Sequence, residues 1–364
     1  MLFGARARAV WGLALSGALL TAACSTSSSG AEPSPSGQGS SFPPSSSSAA
    51  ASSSAPASAT ASGPVDSGLD PLTGLPRTTP AAATRPALGV KVDNVKGAWP
   101  QAGLNQADVV FVIPVEGGLT RLLAVFQSHD APLVGPVRSA RPVDADLLNL
   151  FGHTYFAFSG GSATDLAPIT GNPAITPMWW DVTPSLFTTR TDHAVPHQVF
   201  GSSSTLYAGG EARKPVTTPP APLFSYSATT PAGAPTATSI TAKYNAATST
   251  WHWDGKQYLR TQDGNADKLM DGSQVSASNV VVMSVSVHNT AAVDSHGAPV
   301  PVPVMVGTGA AWVFRDGVMV KGIWTRANAT STMKLLTSSG DTITLEPGRT
   351  WVEILPNSHT PQVS

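Results

Sequence analysis

Between Glu116 and Asp165 the chain concentrates the residue types that could do chemistry. Glu116-Gly117-Gly118-Leu119-Thr120-Arg121 closes one apolar run, and Gly135-Pro136-Val137-Arg138-Ser139-Ala140-Arg141-Pro142 opens a helical segment. Ser159-Gly160-Gly161-Ser162 follows the next apolar run. Forked guanidinium donors on Arg121, Arg138 and Arg141 match phosphate or carboxylate oxygens. Ser139 and the Gly160, Gly161, Ser162 loop would let backbone approach the same anion, and a helix start offers free N–H groups. The resulting expectation is an anion site, with Glu116 orienting the arginines. The competing reading is that these are turns and structural ion pairs.

Catalysis is a second expectation. Glu116 with Asp144 or Asp146 could form the carboxylate pair of a glycan hydrolase, which needs an acid and a base or nucleophile ~5–9 Å apart. Glu116 or Asp144 could equally serve as base in a phosphotransferase. His153, His193 and His197 are further titratable candidates. The His193 and His197 spacing is used for metals on helices, but Pro196 between them argues against a helix, so no metal site is expected. The sequence holds no nucleophile elbow, Walker loop or dinucleotide fingerprint, and no cofactor is indicated.

The elements that must position these residues read as two halves. Ala87–Val92, Val109–Val115, Leu122–Gln127 and Tyr155–Phe158 are apolar strand candidates, and Val109–Val115 should be buried on both faces. After Pro142, Leu147, Leu148, Leu150 and Phe151 share one helical face. Strands separated by helical pieces indicate an α/β-type domain over 65–215. Ligands of such sheets sit beyond the carboxyl ends of strands, where the glycine-rich turns fall. A Pro- and Thr-rich connection over 216–237 leads to a mostly antiparallel β domain over 238–357. There Asp254-Gly255 and Asp316-Gly317 are two-residue hairpin signals. Val280–Val287, Thr342–Leu345 and Trp351–Leu355 are further strands. Trp251, Trp253, Tyr258, Trp312, Trp324 and Trp351 could stack on sugars or fill a core. The fold class expected is α+β.

Composition bounds the function. Among 364 residues, 21 basic and 22 acidic side chains balance without long runs of either sign, which disfavours nucleic-acid binding. Cys24 is the one cysteine, so neither a disulfide nor a zinc–thiolate site supports the body. Arg6 and Arg8, an apolar run from Ala9 to Leu20, and Thr21-Ala22-Ala23 before Cys24 make residues 1–23 a secretory signal. The junction resembles a bacterial lipobox, which implies lipidation of Cys24 (thioether-linked lipid, with palmitate) and attachment to the extracytoplasmic face of the cell membrane. Residues 24–64 are almost wholly Ser, Ala, Pro and Gly, too polar to pack, and read as a tether about 40 residues long spanning roughly 35 Å. The same composition would suit a glycosylated stalk.

The motif series Pro71-Leu72-Thr73-Gly74-Leu75, Asp93-Asn94, Trp99-Pro100-Gln101-Ala102-Gly103-Leu104, EGGLTR at 116–121, GPVRSARP at 135–142 and Gly160-Gly161-Ser162 resembles the YerB-like bacterial lipoproteins. Gly307-Thr308-Gly309, Gly322-Ile323-Trp324 and Leu345–Trp351 resemble that family's second domain, so the likeness spans residues 70–356. It implies a two-part lipoprotein fold without an assigned activity. Around 179–198 the pattern departs: Arg190, Pro196 and His197 match, Gln198 stands for an asparagine, and Trp179-Trp180-Asp181 replaces an aromatic-Arg-Asp group. A weaker likeness, to envelope phosphotransferases that bind lipid pyrophosphate, rests on the arginines and small-residue loop alone. The functional expectation is a cell-envelope lipoprotein binding a wall glycan, teichoic-type polymer or lipid phosphate. Its alternatives are an envelope enzyme and a protein scaffold with an aromatic contact face.

Overall fold

The computed structural model describes residues 67–294 and 297–364. Cys24, the signal and the tether lie outside the described residues. The described residues form one compact unit.

Its frame is a ten-stranded mixed sheet. The first half supplies β1 (Ala87–Asp93), β2 (Val109–Pro114), β3 (Thr120–Phe126), β4 (Thr154–Phe158) and β5 (Ile175–Trp179), with helices α1 (Val143–Leu148), α2 (Ala163–Thr170) and α3 (Ser203–Arg213). The second half contributes a small sheet built on β6 (Ser239–Lys243), β7 (Thr248–Trp253) and β8 (Tyr258–Gln262). Then come β9 (Asn279–Val285), a separate hairpin of β10 (Val287–Val293) and β11 (Pro299–Pro303), and finally β12 (Gly307–Arg315), β13 (Val318–Arg326), β14 (Lys334–Leu336) and β15 (Thr350–Pro356). The large sheet runs β14-β13-β12-β9-β15-β2-β3-β1-β4-β5. Both sequence halves therefore share one sheet, joined where β15 pairs in parallel with β2 through Thr350–Val109 to Glu353–Val112.

The expected continuous burial of β2 follows from this central place: Val109, Phe111 and Ile113 enter one core cluster, Val110 and Val112 the other. Helices α1 and α2 cover the first face with Leu147, Leu148 and Ile169. Helix α3 and the small sheet cover the second with Leu206, Ile240 and Trp251. The second half is mostly antiparallel as expected, except that β15 pairs in parallel on both sides.

Of the local expectations, that for Asp316-Gly317 holds and several others are corrected. Asp316-Gly317 is a two-residue turn between paired Arg315 and Val318, with φ of 51° and 71° as such a turn requires. At Asp254-Gly255 the register pairs Trp253 with Tyr258, so the loop runs over 254–257 instead. Asp254 stabilises it by accepting from the backbone N–H groups of Lys256 and Gln257, both at 2.8 Å. Thr342–Leu345 is not a strand; it forms isolated bridges from Thr342 to Leu336 and from Leu345 to Tyr226. The connection over 216–237 has no helix or strand, yet it buries Leu223 and Phe224 in the core. The proposed sugar-stacking face does not form. Trp251, Tyr258, Trp324 and Trp351 are buried, and Trp253 and Trp312 pack partly buried against the core.

Candidate functional site

Strands β1, β2 and β4 run in one direction, because β1 and β2 are each antiparallel to β3 and β4 is parallel to β1. Their carboxyl ends and the start of β3 therefore meet at one edge, which carries Asp93, Glu116, Arg121 and Ser159. The segment Val134–Pro142 threads across that edge. Asp93 N–H donates to Pro136 O at 2.9 Å, Arg138 N–H to Lys91 O at 2.8 Å, and Ser159 N–H to Arg138 O at 3.0 Å. Those bonds fix Arg138 between β1 and β4. A cavity of about 450 Å³ opens there, lined among others by Asp93, Glu116, Arg121, Arg138, Ser139 and Arg141. Gly161, Ser162 and Asp165 also line it.

The glutamate turn is shaped by its glycines. Gly117 and Gly118 have φ of 68° and 73°, and a Cβ on Gly118 would lie 2.5 Å from the Asn245 side chain. Glu116 thereby points at Arg141, which donates from Nε to Oε1 at 2.5 Å and from NH2 to Oε2 at 2.8 Å. Arg141 NH1 donates to Ala140 O at 2.8 Å and lies 3.8 Å from Asp165 Oδ2. Arg141 is thus held as a structural fork, with little left for a ligand.

Arg138 and Arg121 differ. Arg138 Nε stands 2.9 Å from Asp93 Oδ2, an ion pair whose angle is not that of a hydrogen bond. Among the described residues nothing takes a hydrogen bond from Arg138 NH1 or NH2. Arg121 donates from NH1 to Ser139 O at 3.1 Å and has no carboxylate within ion-pair distance among the described residues. Burial, and then the neighbouring Arg141 charge, push Arg121 down to about 10, so it remains a cation at neutral pH. Two guanidinium groups with spare donors consequently line one cavity.

The remaining predicted residues fall into place unevenly. Ser162 caps α2, accepting from Asp165 N–H at 3.1 Å. Gly161 lines the cavity, whereas Gly160 does not: its α-carbon faces Asp181, and its carbonyl accepts from Ala140 N–H at 3.0 Å. Asp144 is corrected outright as a candidate base. It is fully buried, bound to Lys91 Nζ at 2.6 Å, and accepts from Arg141 N–H at 2.7 Å. Burial pushes Lys91 down to about 8 against the pull of Asp144. Asp146 does not line the cavity, and its carbonyl accepts from Arg326. His153 bonds Thr176 Oγ1 at 2.9 Å, and burial lowers its pKa. His193 lies between Asp192 and the Pro100 carbonyl. No cluster of three metal-ligating side chains occurs among the described residues.

Sequence reasoning missed Asp93. Its Oδ2 accepts from His197 Nδ1 at 2.9 Å as well as facing Arg138, and its Oδ1 accepts from Asn94 N–H at 2.9 Å. Hydrogen bonding from His197 and the Arg138 charge outweigh its burial and hold Asp93 below the usual carboxylate range. The Asp93-Asn94 pair had appeared only as part of the strand-end motif. The hairpin of β10 and β11 was missed too, although Val293 and Val300 form part of the cavity wall.

Comparison with known proteins agrees with the fold. Residues 72–216 match the N-terminal domain, and residues 239–352 the C-terminal domain, of a protein family of unknown function, DUF3048. The chain belongs to the DUF3048 family. "Putative lipoprotein YerB" of Bacillus subtilis (strain 168) is 29% identical over 304 residues, covering 81% of this chain and 88% of the relative. The crystal structure of the YerB protein from Bacillus subtilis superposes with a TM-score of 0.71 at 26% identity, covering 81% of this chain and 99% of that one. In this DUF3048 chain the site sits wholly within the N-terminal match, apart from the wall supplied by the hairpin. No helix among the described residues is long and apolar enough to cross a membrane.

Proposed function

We propose that this protein is a lipid-anchored component of the bacterial cell envelope whose strand-end cavity binds an anionic wall or lipid-phosphate group. The observation that carries the reading is the pair Arg121 and Arg138, which line one cavity with donors not committed to protein carboxylates. The spare guanidinium donors face the cavity, and an anion supplies acceptors in matching geometry. Asp93 orients Arg138, and Glu116 orients Arg141 at the cavity edge. Anchoring through Cys24 would keep the cavity close to such components, in keeping with the lipoprotein name of its relative.

The test is a thermal-shift screen of residues 63–364 against muropeptides, teichoic fragments and short-chain polyprenyl pyrophosphates. A ligand at 100 times its dissociation constant adds about 2.7 kcal/mol, a readily measured shift. A response lost in Arg138→Ala supports the reading, and turnover of a labelled hit would extend it to an enzyme. A flat panel contradicts it.

A further inference from the structure

The cavity is charged on the strand-end side, and on the hairpin side Val293 and Val300 line it together with Asp294. Val115 N–H donates to Leu119 O at 2.9 Å, closing the Glu116 turn so that Val115 and Leu119 flank it. Strand β11 packs against this turn, and Val293 and Val300 of the hairpin complete an apolar wall with them. Leu119 is 36% and Val293 59% exposed. Behind the same turn lies a second cavity of about 350 Å³. It shares Val115 with the first and is lined by Pro114, Val287, Pro299, Pro301 and Pro356. An arginine-lined head site thus adjoins a second cavity walled by prolines and valines and by Tyr244, Asn245, Asn289 and Ser358.

We infer that the ligand is a phosphate-bearing amphiphile, with its phosphate on Arg121 and Arg138 and its hydrocarbon passing Leu119 and Val293 into the second cavity. This rests on the anion reading above and narrows it. Apolar contact area adds to affinity in proportion to what leaves water, so chain length should matter.

The experiment is calorimetric titration of residues 63–364 with methyl phosphate, geranyl phosphate, decyl phosphate and geraniol, each below its micelle concentration. Geranyl or decyl phosphate should bind at least tenfold tighter than methyl phosphate, and whichever of the two is tighter names the isoprenoid or straight-chain source. Geraniol should bind weakly, and Arg138→Ala should weaken every phosphate. Val293→Asn, at an exposed hairpin position, should cut the hydrocarbon advantage severalfold. Equal affinity for methyl and hydrocarbon phosphates overturns the amphiphile while leaving the anion site standing. Geraniol binding as tightly as geranyl phosphate also overturns it. Saturation by none of the phosphates overturns both readings.

Discussion

Arg141 and Glu116 meet edge to edge, with two parallel hydrogen bonds of 2.5 and 2.8 Å between guanidinium and carboxylate. This pair spends the arginine that the sequence made most prominent at the helix start. It leaves Arg121 and Arg138 as the donors that can serve a ligand, and it divides the three arginines into one that builds the site and two that use it.

That division predicts different outcomes for substitution at each position. Arg138→Ala should weaken anion binding roughly 10- to 100-fold, the value of one or two charge-assisted hydrogen bonds, with a smaller loss of melting temperature than Arg141→Ala because His197 still pairs the buried Asp93. Arg121→Lys should keep the charge but lose the fork and weaken binding several-fold. Arg141→Ala should instead lower stability. Paired binding and melting curves check this, and equal binding losses without destabilisation at all three sites would contradict it.

Removing one partner of a buried ion pair leaves the other charge stranded. Glu116→Ala should therefore cost about 3 kcal/mol in urea unfolding. The double variant Glu116→Leu, Arg141→Met should recover much of that loss. A single-variant cost below about 1 kcal/mol would show the pair to be peripheral.

Glu346 offers a pH test in the second half. Burial, followed by the neighbouring Asp316 carboxylate, raises it from 4.5 to about 7. A carboxyl with a raised folded-state pKa contributes stability that is complete below 4.5 and lost as pH rises through about 7. The wild type should lose stability across that window relative to Glu346→Gln, whose own curve lacks this component. Melting curves that stay parallel from pH 4.5 to 7 would contradict the environment assigned to Glu346.

The two Asp-Gly turns should respond differently to alanine. Gly317 has φ of 71°, and a Cβ there would stand 2.8 Å from Trp253 Nε1. Gly255, also at positive φ, has nothing within 4 Å of that point. Both substitutions strain the backbone by about 1–2 kcal/mol, and Gly317→Ala should cost more because it also displaces an indole. Urea midpoints of the two variants measure the difference.

Much of this was legible in the sequence because it depends on local pattern. The apolar runs gave β1 to β4, and the glycine- and arginine-rich turns fell at strand ends that share an edge. What was not legible depends on pairing between distant segments. Nothing in Thr350–Pro356 announces that it lies between β2 and β9, so one continuous sheet could not be read from two differing halves. Asp144 looked like a free acid because its partner, Lys91, lies 53 residues away. Asp93 was passed over for the same reason: Arg138 and His197 reach it only after the chain has folded back across β1.

The most direct test of the central claim is calorimetric titration of residues 63–364 with inorganic pyrophosphate, for the wild type and Arg138→Ala, at low and moderate salt. Saturable binding that weakens with salt and falls at least tenfold in Arg138→Ala is the predicted result. Binding that is absent in the wild type, or unchanged by the substitution, would contradict an anion site built on Arg121 and Arg138.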